Sequence, residues 1–123
     1  MAKILIVAHC SIAEAFLDSA KHIMPNDVAA LHALSVEDFE QIDELKQAIY
    51  AMCKAWGQEE VLILTDIKGA SPDNAVQMLS GLKMLSISGV NLPMVLKALN
   101  YQHLPLDELV EKVINVGKTG ISK

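Results

Sequence analysis

The sequence has few cysteines, no long apolar run and few basic residues, and each shortage excludes some classes of function. Only two cysteines occur, Cys10 and Cys53, and they show neither CxxC spacing nor a histidine at metal-ligand spacing. Neither a disulfide nor a metal site is therefore predicted, and both thiols are expected to be free. No apolar run approaches the roughly 20 residues that span a bilayer, and the N-terminus shows no signal-peptide pattern. A cytoplasmic location is predicted.

Basic residues are also few. Ten basic residues stand against 15 acidic ones, which gives a formal net charge of -5, and no basic cluster occurs. Nucleic acids and anionic membrane surfaces are therefore not expected as partners. What the chain does have is a hydrophobic fraction of 52% in 123 residues, without a linker, repeat or low-complexity segment. This length and composition predict a single domain over residues 1–123 with one buried core.

Short apolar runs and helical periodicities alternate along the chain. Runs of β type occupy residues 3–8, 28–34, 60–65 and 84–90. Helical patterns occupy residues 11–24, 35–56 and 106–116, and two further helices begin near Ser71 and Asn91, while the tail from residue 117 is expected to be loose or packed on a neighbour. Continuous apolar strands are typical of parallel sheets covered on both faces. The alternation therefore predicts an α/β fold: a doubly wound, mostly parallel sheet with helices on both faces, in a single domain.

Several helix ends can be predicted from capping residues. Ser11, with Glu14 three residues later, matches a capping box at the start of the first helix. Ser71 followed by Pro72 predicts a helix with serine at the N-cap and proline at the first helical position. Gly57 is placed to end the second helix as a C-cap glycine.

Two polar residues directly follow buried strands. His9 comes after the first strand and Asp66 after the third. In doubly wound folds ligands bind past the carboxyl ends of the strands, where the strand order reverses. If the two strands are neighbours, the carboxylate can accept a hydrogen bond from one imidazole nitrogen and leave the other free as a nucleophile. Taken alone, however, His9 can equally be a solvated loop histidine, and Asp66 a turn residue.

The loop after Asp66 has the residue types of a phosphate contact. Ser71 opens a helix, whose unpaired N–H groups favour an anion. Gly69 allows close approach of the backbone, Lys68 adds a positive charge, and Ala70 completes the predicted contact segment. Each residue also has an ordinary explanation, because Ser71 is first of all a helix start and Lys68 an exposed lysine.

The other candidate nucleophile and the other histidines are less favoured. Cys10 adjoins His9, but adjacent residues in a strand-to-helix turn usually point apart, which disfavours a cysteine–histidine pair. The remaining histidines, His22, His32 and His103, are expected to be structural or exposed.

At these residues the chain resembles the enzyme IIA component of the mannose family of the bacterial phosphotransferase system. The resemblance rests on four segments in order: ILIVAHCSIAEAF, LILTDIKGASPDNA, GVNLPM and LDELVEKV. The pattern DxxGxSPxNA followed by GVNxPM is its specific part. The family often has glycine after the histidine, where this chain has Cys10. Ile67, Lys68 and Ala70 replace what is often a tryptophan and a second glycine, which bears on partner choice and phosphate contacts.

The resemblance implies a phosphocarrier with His9, Asp66 and Ser71 as its catalytic set. Such a protein accepts a phosphoryl group on the histidine from the phosphohistidine of HPr and passes it to a IIB component. The resemblance also implies a homodimer without metal or cofactor, and it allows peripheral association with a membrane sugar transporter. Two alternatives stay open. One is the phosphocarrier subunit of dihydroxyacetone kinase, and the other is a stand-alone regulatory module that signals through its phosphorylation state.

Overall fold

Four parallel strands form the centre of the described part of the chain. The computed structural model describes residues 1–79 and 81–123 of the chain. The strands are β1 (Lys3–Ala8), β2 (Leu31–Ser35), β3 (Val61–Thr65) and β4 (Met84–Ser88), and all the pairings between them are parallel. Their order in the sheet is β2-β1-β3-β4. The predicted single-domain α/β fold is confirmed, with a sheet that is all parallel in the described part of the chain.

Within the described residues, five α-helices connect and follow the strands. They are α1 (Ile12–Ile23), α2 (Ile42–Ala55), α3 (Ser71–Gln77), α4 (Leu92–Asn100) and α5 (Leu106–Thr119). Two short 3-10 helices, Val28–Ala30 and Val36–Asp38, lie on either side of β2. No helix in the described part of the chain is long and apolar enough to cross a membrane.

The helices cover both faces of the sheet because β1 and β3 send apolar side chains to both sides. One face of the two strands carries Ile4, Ile6, Leu62 and Leu64, which pack with buried side chains of α1, α4 and α5. The opposite face carries Leu5, Val7, Val61 and Ile63, which pack with buried side chains of α2 and α3. Burying one such side chain contributes about 1.5–3 kcal/mol. The two central strands are therefore fixed from both sides.

The strand order reverses between β1 and β3. From β1 the chain moves outward to β2, crosses back to β3 and then moves outward in the other direction to β4. Lys3 to Val7 of β1 pair in register with Val61 to Thr65 of β3. The residues that follow these two strands therefore emerge side by side, at the point where doubly wound folds bind their ligands.

Several predicted element boundaries were wrong. Residues 28–30 form a 3-10 helix rather than the start of a strand, because pairing with β1 begins only at Leu31. The helix predicted from residue 35 is two elements: Ser35 caps the 3-10 helix, and α2 begins at Ile42. Strand β4 ends at Ser88, two residues early, and α5 continues to Thr119 instead of giving way to a loose tail.

Two of the three predicted caps were also wrong. Ser11 occupies the N-cap position of α1, but its side chain makes no capping hydrogen bond, so the capping box does not form. Ser71 is the first helical residue of α3, and Ala70, with φ -86° and ψ 178°, is the N-cap. Gly57 does follow the end of α2 with φ +69°, as predicted for a C-cap glycine. Both thiols are free, with Cys10 exposed and Cys53 buried.

Candidate functional site

His9 lies in a tight turn between β1 and α1. Ala8, the last residue of β1, is fully buried, whereas the His9 side chain is 34% exposed. The next residue, Cys10, has φ +51°, which lies in the left-handed region that residues other than glycine seldom adopt. The His9 carbonyl accepts a hydrogen bond from the Ile12 N–H at 3.1 Å, which closes the turn as α1 begins. The turn therefore presents the imidazole at the carboxyl edge of the sheet.

Asp66 holds both the ring and the backbone of His9. Its Oδ2 accepts a hydrogen bond from His9 Nδ1 at 2.8 Å and another from the His9 N–H at 3.0 Å. Its Oδ1 accepts a third from the Ile67 N–H at 3.0 Å. The Asp66 side chain is 8% exposed, so these bonds lie mostly out of water. The structure thus brings together the two residues that the sequence placed at the ends of neighbouring strands.

The charge of Asp66 determines the tautomer of His9. Burial acts to raise the pKa of the Asp66 carboxyl, but the hydrogen bonds from the His9 backbone and ring outweigh it and hold this pKa below its usual value. Asp66 is therefore ionised at neutral pH, and an ionised carboxylate only accepts hydrogen bonds. In neutral His9 the proton must consequently sit on Nδ1, which leaves the lone pair of Nε2 free.

A second carboxylate, which the sequence analysis missed, lies on the other side of the turn. Glu37, in the 3-10 helix after β2, accepts a hydrogen bond from the Cys10 N–H through Oε2. The same oxygen accepts one from Ser35 Oγ at 3.2 Å. The bond from Cys10, with smaller contributions that include the charge of His9, keeps the pKa of the Glu37 carboxyl below its usual value. The sequence pattern placed Glu37 inside a helix predicted from residue 35, and it gave no sign that this side chain reaches Cys10.

The predicted phosphate-contact segment follows Asp66 but is not hydrogen-bonded to His9 among the described residues. Lys68 is exposed, and Gly69, with φ +83°, donates its N–H to Asp73 Oδ2 at 2.9 Å. Ser71 is exposed and borders a cavity of about 100 Å³. That cavity is otherwise lined by Val36, Phe39, Glu40, Gln41, Ile42 and Leu45. Ser71 therefore faces the segment that follows Glu37.

The three other histidines lie away from this arrangement. His22 and His103 are exposed, and His103 stacks on Tyr101 at 6.2 Å between ring centroids. His32, half-buried in β2, lies 4.8 Å from the Trp56 ring, and burial followed by the charge of Lys3 lowers its pKa. The exposure predicted for these histidines is thus found at His22 and His103. In residues 1–79 and 81–123, no three His, Cys, Asp or Glu side chains are grouped to hold a metal ion.

Comparison with known proteins bears on the whole chain. The family model described as PTS system fructose IIA component matches residues 3–114. No curated protein sequence matches. The structure of phosphotransferase system component EIIA from Streptococcus agalactiae is 26% identical, with a TM-score of 0.85, covering 100% of this chain and 97% of that one. The mannose/sorbose specific IIA subunit of the phosphotransferase system from Enterococcus faecalis is also 26% identical, with a TM-score of 0.86 and coverage of 99% and 93%.

A more distant likeness shows how far the fold extends. A sigma-54 interaction domain protein from Enterococcus faecalis is 15% identical to this chain, with a TM-score of 0.74 and coverage of 96% and 91%. At that identity the likeness concerns the fold alone. Because one fold can serve several activities, the site must decide the function.

Proposed function

Because this chain belongs to the family of the PTS system fructose IIA component, where PTS is the phosphotransferase system, we propose that it carries a phosphoryl group on His9. The proposed donor is the phosphohistidine of HPr, and the proposed acceptor is a IIB component. The observation that carries the proposal is the 2.8 Å hydrogen bond between His9 Nδ1 and Asp66 Oδ2. It fixes the ring and leaves Nε2 available on a side chain that is 34% exposed.

The proposed transfer exchanges one nitrogen–phosphorus bond for another. Nε2 of His9 attacks the phosphorus atom as the bond to the donor imidazole breaks, and the bonding electron pair returns to the donor nitrogen. A donor ring that starts protonated on its other nitrogen ends as neutral imidazole, while His9 ends as a phosphorylated ring that keeps its Nδ1 proton. No net proton transfer is needed, so the protein contributes chiefly positioning and charge stabilisation.

Asp66 contributes to both effects. Its two bonds to His9 hold the ring in one orientation, which supports in-line attack without a search for the reactive geometry. Its negative charge stabilises the positive charge that develops on the imidazole when Nε2 becomes phosphorylated. Because the carboxylate is largely buried, this charge interaction is less screened than it would be at the surface.

Ser71 and the segment Lys68–Gly69–Ala70 are proposed to contact the phosphoryl oxygens. Support comes from their place in the chain, directly after Asp66, and from the exposure of Lys68 and Ser71. Since Gly69 donates its N–H to Asp73, the proposed contact of this residue requires that bond to be exchanged when the phosphoryl group arrives.

Pairing of two copies is also proposed, as the resemblance to the mannose family implies. Leu85, on the edge strand β4, and Ile121, in the tail, are large apolar side chains that remain 42% and 79% exposed in the single chain. Their exposure supports the proposal because paired subunits would bury such surface.

Labelling with phosphorylated HPr tests the central proposal. The native chain should gain one phosphoryl group, and mass analysis of peptides should place it on His9. His9→Ala should abolish labelling, because no other described histidine is held by a carboxylate in this manner. His22→Ala and His103→Ala are matched controls that remove exposed histidines and should label like the native chain.

Retention of full labelling in His9→Ala would rule out His9 as the acceptor. The test is the same for a transport component and for a regulatory module, because both begin with acceptance of the phosphoryl group. Subsequent transfer from the labelled chain to a purified IIB component separates the two uses.

A further inference from the structure

We propose that Glu37 is a positioning residue, which holds the Cys10 peptide group in its left-handed turn and thereby keeps His9 aligned for transfer. The kinetic part of this inference rests on the proposed function, whereas its structural part does not. The inference starts from one juxtaposition. Two consecutive backbone N–H groups, those of His9 and Cys10, are each bound by a carboxylate from a different neighbouring strand end.

The two carboxylates hold the turn from opposite sides. Asp66 follows β3 and binds the N–H of His9, whereas Glu37 follows β2 and binds the N–H of Cys10. Since β1 lies between β2 and β3 in the sheet, the turn after β1 is tied to both of its neighbours. A peptide group bound on each side of the His9 Cα has little freedom to rotate, and the orientation of the imidazole depends on that backbone.

Glu37 is itself anchored although its side chain is exposed. Ser35, the last residue of β2, is 9% exposed and pairs in register with Ala8 beside the turn. Its hydroxyl oxygen accepts the Glu37 N–H at 3.3 Å and donates to Glu37 Oε2 at 3.2 Å. The carboxylate is therefore directed at the turn by a residue that belongs to the sheet.

Cys10 is the residue that requires such support. Its φ of +51° lies in the left-handed region, where clashes of Cβ disfavour an L-residue by about 5- to 30-fold in population. An acceptor on its N–H offsets this preference, because the hydrogen bond forms only while the Cys10 peptide keeps this orientation. Loss of the acceptor should let the Cys10 backbone leave this conformation and carry His9 with it.

A competing explanation is that Glu37 acts through its charge on the phosphoryl group. The two explanations differ in what a glutamine at this position does. The amide oxygen of Glu37→Gln can still accept the Cys10 N–H, but the side chain has no charge. They differ again when Cys10 is replaced by glycine, which adopts a positive φ without steric cost and so needs less support.

A double-mutant cycle separates these explanations. The initial rate of phosphoryl uptake from phosphorylated HPr is measured for the native chain, Glu37→Ala, Glu37→Gln, Cys10→Gly and the Cys10→Gly/Glu37→Ala double variant. Glu37→Ala should slow uptake about 5- to 30-fold, the range set by the left-handed preference. Glu37→Gln should stay within about threefold of the native rate, and the alanine substitution should cost under about threefold in the glycine background. Asp38→Ala, which removes an exposed carboxylate from the same 3-10 helix, is the control.

A structural readout accompanies the rates and does not need the donor protein. In unphosphorylated samples, the amide proton of Cys10 and the ring nitrogens of His9 are followed by NMR. Glu37→Ala should move the Cys10 amide signal upfield and broaden the His9 ring signals, whereas Asp38→Ala should change neither. Melting curves check that each variant is folded.

The outcomes distinguish failure of this inference from failure of the proposed function. If the native chain takes no label, the proposed function fails, and the NMR comparison alone decides the role of Glu37. If the native chain labels on His9 but Glu37→Gln is as slow as Glu37→Ala, the charge explanation replaces positioning. An equal cost of Glu37→Ala in the cysteine and glycine backgrounds would also overturn the inference, as would an unchanged NMR spectrum.

Discussion

The two carboxylates beside the His9–Cys10 turn each accept a backbone hydrogen bond from it, but they lie in different surroundings. Asp66 is 8% exposed, accepts three hydrogen bonds and contacts the imidazole itself. Glu37 lies at the surface, and its hydrogen bonds from Cys10 and Ser35 do not include the ring. Both have a lowered carboxyl pKa, so both are charged at neutral pH.

The difference separates a chemical role from a positioning role. In the proposed transfer, a buried carboxylate on the reacting ring changes the energy of the charged state that forms, because little water screens it. Under the proposal above, an exposed carboxylate on the adjacent peptide affects this transfer only through the backbone that it holds. We therefore expect substitutions on the Asp66 side to have larger effects than matched substitutions on the Glu37 side.

The largest effect is expected for Asp66→Asn. This variant keeps the shape of the side chain but removes its charge, and its amide can turn an N–H group toward the ring and favour the wrong tautomer. Phosphoryl transfer from phosphorylated HPr should slow by about 10²–10⁴-fold, the range of other carboxylates that orient a histidine. Labelling reactions quenched after a series of times measure the rate. Glu37→Gln is the matched control, and equal rates for both variants would remove the distinction between the two sides.

A smaller effect is expected on stability in acid. Because the folded Asp66 carboxyl has a pKa below its usual value of 3.8, it contributes stability that is fully present well above that value. This contribution is lost as the pH falls through the folded pKa. The difference in free energy of unfolding between the native chain and Asp66→Asn should therefore shrink as the pH is lowered from about 5.

Urea unfolding at a series of pH values measures this difference. The same series on Glu37→Gln should show a weaker pH dependence, because Glu37 is exposed and its interactions are screened by solvent. A stronger dependence for Glu37 than for Asp66 would contradict the comparison.

The smallest effect is expected for the stability of Ser71→Ala. As the first helical residue, without a capping hydrogen bond, Ser71 should contribute less than about 0.5 kcal/mol. Asp73→Ala is the matched comparison, because its carboxylate accepts the Gly69 N–H at 2.9 Å, and it should cost about 0.5–2 kcal/mol. Thermal melting of the two variants measures the difference.

Phosphoryl transfer by Ser71→Asp examines the other predicted role of this residue. A negative charge beside the phosphoryl group should slow transfer severalfold, with little change in melting temperature. An unchanged rate would remove Ser71 from the site.

The central strands could be predicted from sequence because their signal is strong and local. The apolar runs of β1 and β3 are buried on both faces, so no other element type accommodates them as well. The facing positions of His9 and Asp66 then followed from a general property of doubly wound sheets. Family resemblance added the chemistry proposed for these residues, which the strand pattern alone did not contain.

What the sequence could not predict depends on contacts between distant residues or on competing local ones. Glu37 meets Cys10 across 27 residues, and Glu37 belongs to none of the segments that carry the family resemblance. At the start of α3, the Ser71-Pro72 pair is typical of an N-cap. There Asp73 binds the Gly69 N–H and Asn74 Nδ2 donates to the Gly69 carbonyl at 3.1 Å, so the helix begins one residue earlier. Two helix starts that lie one residue apart differ too little in free energy for residue preferences to distinguish them.

The two hydrogen bonds that Asp66 Oδ2 accepts from the ring and the backbone of His9 have a consequence for the order in which partners can bind. A tethered imidazole cannot swing between a donor on one side and an acceptor on another, as a mobile arm would. Two proteins that exchange a phosphoryl group at Nε2 would then have to bind the same surface in turn, so that one dissociates before the other binds. Each of these proteins would also need a surface that is complementary to the region around the turn, although their folds could otherwise differ.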